Sequence, residues 1–247
     1  MESICIDVNE QPARAVRAAW RVLQRGTCAV AGACAAVAMG WTLWFVLAWI
    51  SYGHAAGSDG SDPLIDRFMP MYQVAERHAI RVAAPVAFTY AAGRGVDLER
   101  APIVHAVFEG RRRIFGEPAG PGERLTLGRL EAIGWGVLAE APGRELVFGA
   151  ITQPWRGDVT FRPLAPEAFA AFDSAGYAKI VWTLAVDSVG PRESRFRTET
   201  RVITTDPVSR ARFRRYWSWL SPGILLIRWQ TIRLVRADAE RLVEAGP

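Results

Sequence analysis

The longest apolar pattern in the chain runs from Ala29 to Ile50, 22 consecutive positions without a charged side chain. At about 1.5 Å rise per residue, a helix of this length spans roughly 33 Å, which is enough to cross the hydrocarbon core of a bilayer. After Met69 the apolar positions recur in short periodic segments, as is typical of a soluble domain. The pattern therefore predicts four parts: an N-terminal segment (1–28), a transmembrane helix (29–50), a linker (51–68) and a globular domain (69–247).

Within the domain, alternating positions predict strands and a spacing of three to four residues predicts helices. The first predicted strand places Val74, Glu76 and His78 on one face, and Asp206-Pro207 predicts the start of a long helix. The predicted elements, in order, are strand 72–82, helix 84–92, helix 97–115, helix 125–133, hairpin strands 135–140 and 145–151, an alternating segment 158–162, helix 166–172, hairpin strands 177–187 and 194–205, and a helix from 207 to 244 interrupted at 221–223.

The charges that flank the apolar run predict its orientation. The residues before it include Arg14, Arg17, Arg21 and Arg25, whereas Asp59, Asp62 and Asp66 follow it. By the positive-inside rule, the N-terminus is cytoplasmic and the domain lies on the periplasmic or extracellular side of a bacterial plasma membrane. The alternative is a cleaved signal peptide, with His54-Ala55-Ala56 as the cleavage site. The apolar run is longer than the signal-peptide core of about 7–15 residues, which favours the anchor.

Composition narrows the possible functions. Cys5, Cys28 and Cys34 all precede the domain, so it has no disulfide, cysteine nucleophile or thiolate metal site. The net charge of +5 is modest and no basic block with interleaved aromatics occurs, so we expect no nucleic-acid partner. The histidines are dispersed, and Gly93-Arg-Gly95 lacks the third glycine of a dinucleotide-binding loop, so we expect neither a metal nor a cofactor.

Four stretches of the domain resemble a known family: HAIRVAAPVAFTY (78–90), AKIVWTLAV (178–186), RTETR (197–201) and FRRYW (213–217). Together with the element order, they resemble the START-like (SRPBCC) superfamily, which includes polyketide cyclase/dehydrase-like proteins and relatives of the birch-pollen allergen. The resemblance covers roughly 71–244 and implies an α+β helix-grip fold, in which a curved antiparallel sheet wraps around the long C-terminal helix. It also implies a cavity between sheet and helix that holds apolar or amphipathic ligands.

The residues expected to line this cavity come from one face of each strand and from the C-terminal helix. The ligand-binding candidates are Glu76, His78, Phe148, Phe161, Trp182, Phe196, Thr198, Thr200, Phe213 and Trp217. The aromatic members also suit a filled core, and the threonines suit any strand. Glu76 and His78 are two positions apart, hence about 7 Å apart on one face, where they are placed to orient a ligand or to act as acid and base. Alternatively, both serve backbone or arginine groups near the strand end.

The sequence thus predicts a membrane-anchored protein that binds a hydrophobic or amphipathic small molecule, either a lipid or a polyketide-like compound. We expect binding without covalent chemistry and therefore no catalytic residue. Two alternatives stay open: a cyclase/dehydrase-like enzyme that uses His78 and Glu76 as acid and base, and a non-catalytic partner-binding module with a filled core. The pattern makes no prediction of the oligomeric state.

Overall fold

The structure is a computed structural model that describes residues 11–53, 62–115 and 134–245. The chain divides into two units, Met1–Leu47 and Ala48–Pro247. The described part of the first unit belongs to helix α1, Gln11–Ser51. Among the described residues, one helical stretch, Gln24–Ser51, is long and apolar enough to cross a membrane, and a signal sequence would meet the same criteria.

The described part of the second unit contains a five-stranded antiparallel sheet and a long C-terminal helix. Its elements are α2 (Pro63–Asp66), β1 (Val74–Val82), α3 (Val86–Gly95), a 3-10 turn (Leu98–Arg100), α4 (Pro102–Phe115), β2 (Gly136–Ala141), β3 (Glu145–Thr152), α5 (Pro166–Ala171), β4 (Ala178–Gly190), β5 (Glu193–Thr204) and α6 (Pro207–Glu244). Helix α6 is 38 residues long. Its N-cap is Asp206, whose side chain accepts hydrogen bonds from the backbone N–H groups of Val208 and Ser209.

The strand order is β1-β5-β4-β3-β2. Side chains alternate between the two faces of a strand, so directly paired residues share a face. The register pairs Glu76 with Thr200, Thr200 with Trp182, and Trp182 with Phe148. One row across the middle of the sheet therefore carries two polar and two aromatic side chains on the same side.

The face that carries this row, here called the inner face, is covered by α3 and α6. Its main cluster consists of buried residues from the strands, α3 and α6: Val82, Ala84, Tyr90, Ala92, Val96, Leu146, Phe148, Leu184, Val186, Phe196, Ile232, Val235 and Ala239. Gly93 allows α3 to approach closely, because a Cβ atom there would lie 3.0 Å from the ring of Phe196.

The opposite, outer face is also covered, mainly by α2 and α5. Its cluster is Ile65, Phe68, Met69, Leu138, Val147, Ile151, Phe169 and Val181. Residues 62–68, the end of the predicted linker, thus include side chains that pack against the sheet. Arg201 is 2% exposed on this face. Its guanidinium pairs with Glu199 at 2.7 Å and with Asp66 at 2.5 Å, and it donates a hydrogen bond to the carbonyl of Met69 at 2.8 Å.

The predicted α+β helix-grip class is confirmed, because an antiparallel sheet carries the long C-terminal helix on one face. Several details differ. Helix α3 continues through Gly93 to Gly95, the segment 97–115 starts with a 3-10 turn before α4, and 158–162 contributes a single bridge between Arg162 and Ile151. The helix predicted over 125–133 lies outside the described residues.

The predicted interruption of the last helix at 221–223 is wrong, since α6 runs through Pro222. Proline removes one backbone donor from the helix. The next residue, Gly223, packs closely against α4, because a Cβ atom there would lie 2.9 Å from Val107. The glycine therefore serves the close approach of two helices and does not end one of them.

Candidate ligand-binding site

Four polar side chains lie between the inner face and α6: Glu76 and His78 from β1, Thr200 from β5, and Arg228 from α6. We call them the polar niche. Glu76 and Thr200 are direct partners across the β1–β5 pair. The charge of Arg228 affects the pKa of both Glu76 and His78. Residues of two strands and of the C-terminal helix thus share one electrostatic environment.

Three atoms of the niche are buried without a hydrogen-bond partner among the described residues: His78 Nδ1, Thr200 Oγ1 and Arg228 Nε. Thr200 as a whole is 6% exposed. Leaving a buried polar atom unpaired costs about 1–3 kcal/mol, and more for a charged group. Buried polar atoms in proteins nearly always have partners, so three unpaired atoms in one place call for an explanation.

Burial shifts the niche residues towards their uncharged forms. It raises the pKa of Glu76, and Arg228 opposes this shift. It lowers the pKa of His78, and Arg228 adds to the effect, so the imidazole is neutral at pH 7. Burial also lowers the pKa of Arg228 to about 10, with Glu76 opposing, so the guanidinium still carries its charge at pH 7.

A row of aromatic rings, which we call the aromatic wall, lies beside the niche. Its ring centroids are 5.3 Å apart for Phe161 and Trp135, 6.3 Å for Trp135 and Trp182, and 5.9 Å for Trp182 and Phe148. The guanidinium of Arg228 lies 5.8 Å from the ring centroid of Trp182. This contact joins the wall to the niche, so an apolar surface and a cationic group meet at Trp182.

The structure brings together six of the ten predicted ligand contacts in the niche and the wall. Glu76, His78 and Thr200 belong to the niche, and Phe148, Trp182 and Phe161 to the wall, although Phe161 lies outside the named strands. Thr198 serves the sheet, because its hydroxyl donates to the carbonyl of Thr183 at 2.8 Å and accepts from the indole N–H of Trp182.

The other predicted contacts lie in clusters of the core. Phe196 is 1% exposed in the main inner cluster. Phe213 and Trp217 stack with ring centroids 6.1 Å apart and belong to a separate cluster that also contains Tyr52 and Val74. In this arrangement they connect the start of α6 to the sheet and do not contribute to the niche.

The sequence pattern did not predict that Arg228 and Trp135 belong to the site. Trp217, Ser221, Ile224 and Arg228 follow one another at intervals of four, three and four residues, which is one face of a continuous helix. The predicted break at 221–223 removed the phase that would have placed Arg228 towards the sheet. Trp135 lies just before β2, and its neighbours gave no sign of its contact with Trp182.

Two grooves lined by described residues lie away from the niche. One, of about 320 Å³, is lined by Tyr52, Gly53, Pro207, Arg210, Ala211 and Arg214. The other, of about 360 Å³, is lined by Ala79, Ile80, Arg81, Val189 and Arg195. Neither contains an unpartnered buried atom, so the niche remains the candidate site in the described part of the chain.

Comparison with known proteins gives weak likenesses only. No family model and no curated protein matches the chain. The crystal structure of the Zhui aromatase/cyclase from Streptomyces sp. R1128 is 15% identical, covering 70% of this chain and 98% of that one, with a TM-score of 0.26. The crystal structure of Ara h 8.0201 is 7% identical, covering 68% of this chain and 99% of that one, with a TM-score of 0.26.

The di-domain ARO/CYC BexL from the BE-7585A biosynthetic pathway is 14% identical over 70% of this chain, with a TM-score of 0.28. This chain spans 48% of BexL. Identities and TM-scores at this level establish no family, and the functional conclusions therefore rest on this chain's own residues.

Proposed function

We propose that the second unit binds a hydrophobic or amphipathic small molecule, of a lipid or polyketide-like kind, between the inner face and α6. The observation that carries this proposal is the convergence of three unpartnered buried polar atoms, on His78, Thr200 and Arg228, beside the aromatic wall. A filled core would pair these atoms or exclude them. A ligand with one polar end supplies the missing partners, and its apolar body packs against the wall.

The energies are of the right size for such a ligand. Burying apolar area contributes about 25 cal/mol per Å², so roughly 300 Å² of ligand surface contributes about 7.5 kcal/mol before the costs of association. One satisfied polar group adds about 1 kcal/mol and, more importantly, selects one orientation. The apolar body thus provides affinity and the niche provides specificity.

We also propose that residues 29–50 anchor this unit in a bacterial plasma membrane, with the N-terminus cytoplasmic and the domain outside. Contacts of the residues before His54 support an uncleaved chain. Tyr52 is 8% exposed, and its hydroxyl donates to Gln73 Oε1 at 2.9 Å. The backbone N–H of Gly53 donates to the carbonyl of Gln73 at 2.9 Å. Cleavage at His54-Ala55-Ala56 would remove residues that the folded unit uses.

A second candidate is an enzyme of the cyclase/dehydrase kind. The opposite pKa shifts of Glu76 and His78 favour it, because shielded groups with perturbed pKa values are frequent in active sites. If the chain is an enzyme of this kind, His78→Ala should retain a molecule that differs from the one bound to the wild type by the mass of water. If both proteins retain the same molecule, binding without turnover is supported.

Photolabelling of the full-length chain in phosphatidylcholine nanodiscs tests the binding proposal. The probe is a neutral 16-carbon alcohol with a diazirine in its chain, and the labelled peptides are mapped by mass spectrometry. We expect label on peptides that contain Phe148, Trp182 and Arg228, and excess unlabelled hexadecanol should remove it. Label confined to residues 24–51, or label at the inner face that hexadecanol does not compete for, would overturn the proposal.

Protease treatment of intact cells tests the anchor. A tag after Pro247 should be accessible from outside, and the chain should retain its first residues by N-terminal sequencing. An N-terminus at residue 55 or later would support a cleaved signal peptide. A tag that is protected from the protease would show that the domain lies on the cytoplasmic side, opposite to the proposed orientation.

A further inference from the structure

We propose that the molecule bound at the niche is an amphipathic carboxylic acid, whose carboxylate pairs with Arg228 and accepts hydrogen bonds from Thr200 and His78. This inference deepens the proposed function and rests on it. It concerns the charge of the ligand's polar end, which the aromatic wall does not determine.

Arg228 is the positively charged group of the niche at pH 7. Arg228 is partly buried, and its Nε atom is fully buried. A charged group that loses water needs an anion or hydrogen-bond acceptors in its place. The ring of Trp182 at 5.8 Å supplies a cation–π contact to the face of the group but accepts none of its N–H donors. Arg228 Nε is buried and unpartnered among the described residues.

Other arginines of the unit have carboxylate partners within hydrogen-bond distance. Arg201 pairs with Glu199 at 2.7 Å, and Arg100 donates to both carboxylate oxygens of Asp238 at 3.0 Å. In the described part of the chain, no hydrogen bond or ion pair of this kind joins Arg228 to Glu76. The charge of Glu76 raises the pKa of Arg228, but Glu76 accepts no hydrogen bond from the guanidinium among the described contacts.

The three unpartnered atoms of the niche can all act as hydrogen-bond donors. Arg228 Nε is a donor, the hydroxyl of Thr200 can donate, and neutral His78 donates from Nδ1 in one of its tautomers. A carboxylate has about four acceptor positions, whereas an alcohol or ketone oxygen has about two. Three donors from three elements therefore match a carboxylate better than a neutral oxygen.

The charges of the niche favour a ligand with a single negative charge. Arg228 provides one positive charge, and Glu76 lies on the same side of the sheet. A dianionic phosphate would meet one arginine and a neighbouring carboxyl group, so a single negative charge fits this site better. Burial makes Glu76 easier to protonate, and in that form it donates a further hydrogen bond to the ligand's carboxylate.

Three photoreactive probes with the same 16-carbon chain test the inference: the carboxylic acid, the alcohol and the alkyl phosphate. Each is titrated against the full-length chain in phosphatidylcholine nanodiscs, and half-saturation of inner-face labelling is measured. We expect the acid to saturate at a concentration at least about tenfold below that of the alcohol, the size of one charge-assisted hydrogen bond. Comparison between variants cancels differences in how the probes partition into the bilayer.

Arg228→Met should abolish the preference for the acid and leave alcohol labelling in place, whereas Arg228→Lys should retain part of the preference. Arg233→Met is the matched control, because Arg233 lies on the same helix but is exposed and stacks on Trp229 at 3.8 Å. It should behave as the wild type. If Arg228→Met does not fold, Thr200→Val removes one hydroxyl at nearly constant shape and should weaken acid binding about three- to tenfold.

The outcomes separate this inference from the proposed function. Equal labelling of the inner face by acid and alcohol would overturn the carboxylate and leave the proposed function standing. A preference for the alkyl phosphate would also overturn the carboxylate. Inner-face labelling by none of the three probes would overturn the proposed function itself. An acid preference that persists in Arg228→Met would show that Arg228 is not its cause and would overturn the inference.

Discussion

The guanidinium of Arg214 on α6 donates two hydrogen bonds to the backbone carbonyl of Trp49. Its Nε and Nη2 atoms donate to that oxygen at 3.0 Å and 2.6 Å, and its guanidinium lies 4.3 Å from the centroid of the Trp49 ring. A carbonyl near the end of a helix has no partner within that helix, so an arginine from elsewhere in the fold is well suited to it. The end of the apolar run is thus part of the hydrogen-bonding pattern of the second unit.

Replacing Arg214 by methionine should loosen residues 49–53. Hydrogen bonds to a charged group contribute about 1.5–3 kcal/mol, and the ring contact adds about 0.5–1 kcal/mol. We expect faster amide hydrogen exchange over 49–53, measured by mass spectrometry on the full chain in nanodiscs. Arg212→Met, which changes an exposed arginine of the same helix, should leave the exchange rates unchanged. Equal rates in the Arg214 variant and the wild type would contradict this prediction.

The buried Glu145 on the outer face should make stability depend on pH. Burial, together with hydrogen bonding to Asp62, raises the pKa of Glu145 to about 7, and Arg197 partly opposes this. The folded state therefore binds the proton more tightly than the unfolded state. This stabilisation is complete below the unfolded pKa of about 4.5 and is lost as the pH rises through about 7.

Glu145→Gln tests this, because glutamine keeps the shape but cannot ionise. The difference in melting temperature between variant and wild type should be small at pH 5 and should move in favour of the variant towards pH 8. Comparing the two proteins at each pH cancels the effects of other titrating groups. A difference that stays constant from pH 5 to pH 8 would exclude Glu145 as the source.

Gly149 in β3 should not tolerate a side chain. A Cβ atom there would lie 2.5 Å from Leu138 Cδ1 and 3.0 Å from the ring of Phe169, both of which are buried. Overpacking of this kind costs about 1–3 kcal/mol, so Gly149→Ala should lower the midpoint of chemical unfolding. Gly190→Ala is the control, because no heavy atom lies within 4 Å of a Cβ atom at that position. Equal effects of the two substitutions would show that the outer cluster adjusts freely.

Asp206 should stabilise the start of α6 and its connection to the β4 strand. Besides capping α6, it accepts a hydrogen bond from the backbone N–H of Gly176 at 2.6 Å and from the hydroxyl of Ser209 at 2.6 Å. These donors hold the pKa of Asp206 well below its usual range. Its contribution is therefore present at neutral pH and is lost only in strong acid.

Asp206→Ala should lower the melting temperature at pH 7, and Asp206→Asn, which keeps one acceptor oxygen, should lower it less. Thermal unfolding followed by circular dichroism provides the comparison. If the alanine variant melts at the wild-type temperature, the cap does not limit the stability of α6.

The inner face of β1 was predictable because its own alternation carries the information: Val74, Glu76, His78 and Val82 occur at every second position or its multiple. The role of Arg228 was not predictable from the sequence. It depends on α6 being continuous across Pro222, whereas a proline in a sequence favours a break in the helix. Packing at Gly223 is a tertiary fact that no local pattern contains. The four-residue helix α2 is too short to show periodicity, so its packing was equally invisible.

Helix α6 carries both Arg228 of the niche and Arg214, which binds the carbonyl of Trp49. Arg214 and Arg228 are 14 residues apart on α6, about 21 Å along the helix axis. Packed helices shift as rigid bodies by about 1–2 Å, so an axial displacement moves both arginines together. A shift of α6 along its own axis would therefore change two things at once: the position of Arg228 in the niche and the hydrogen bonds from Arg214 to the carbonyl of Trp49.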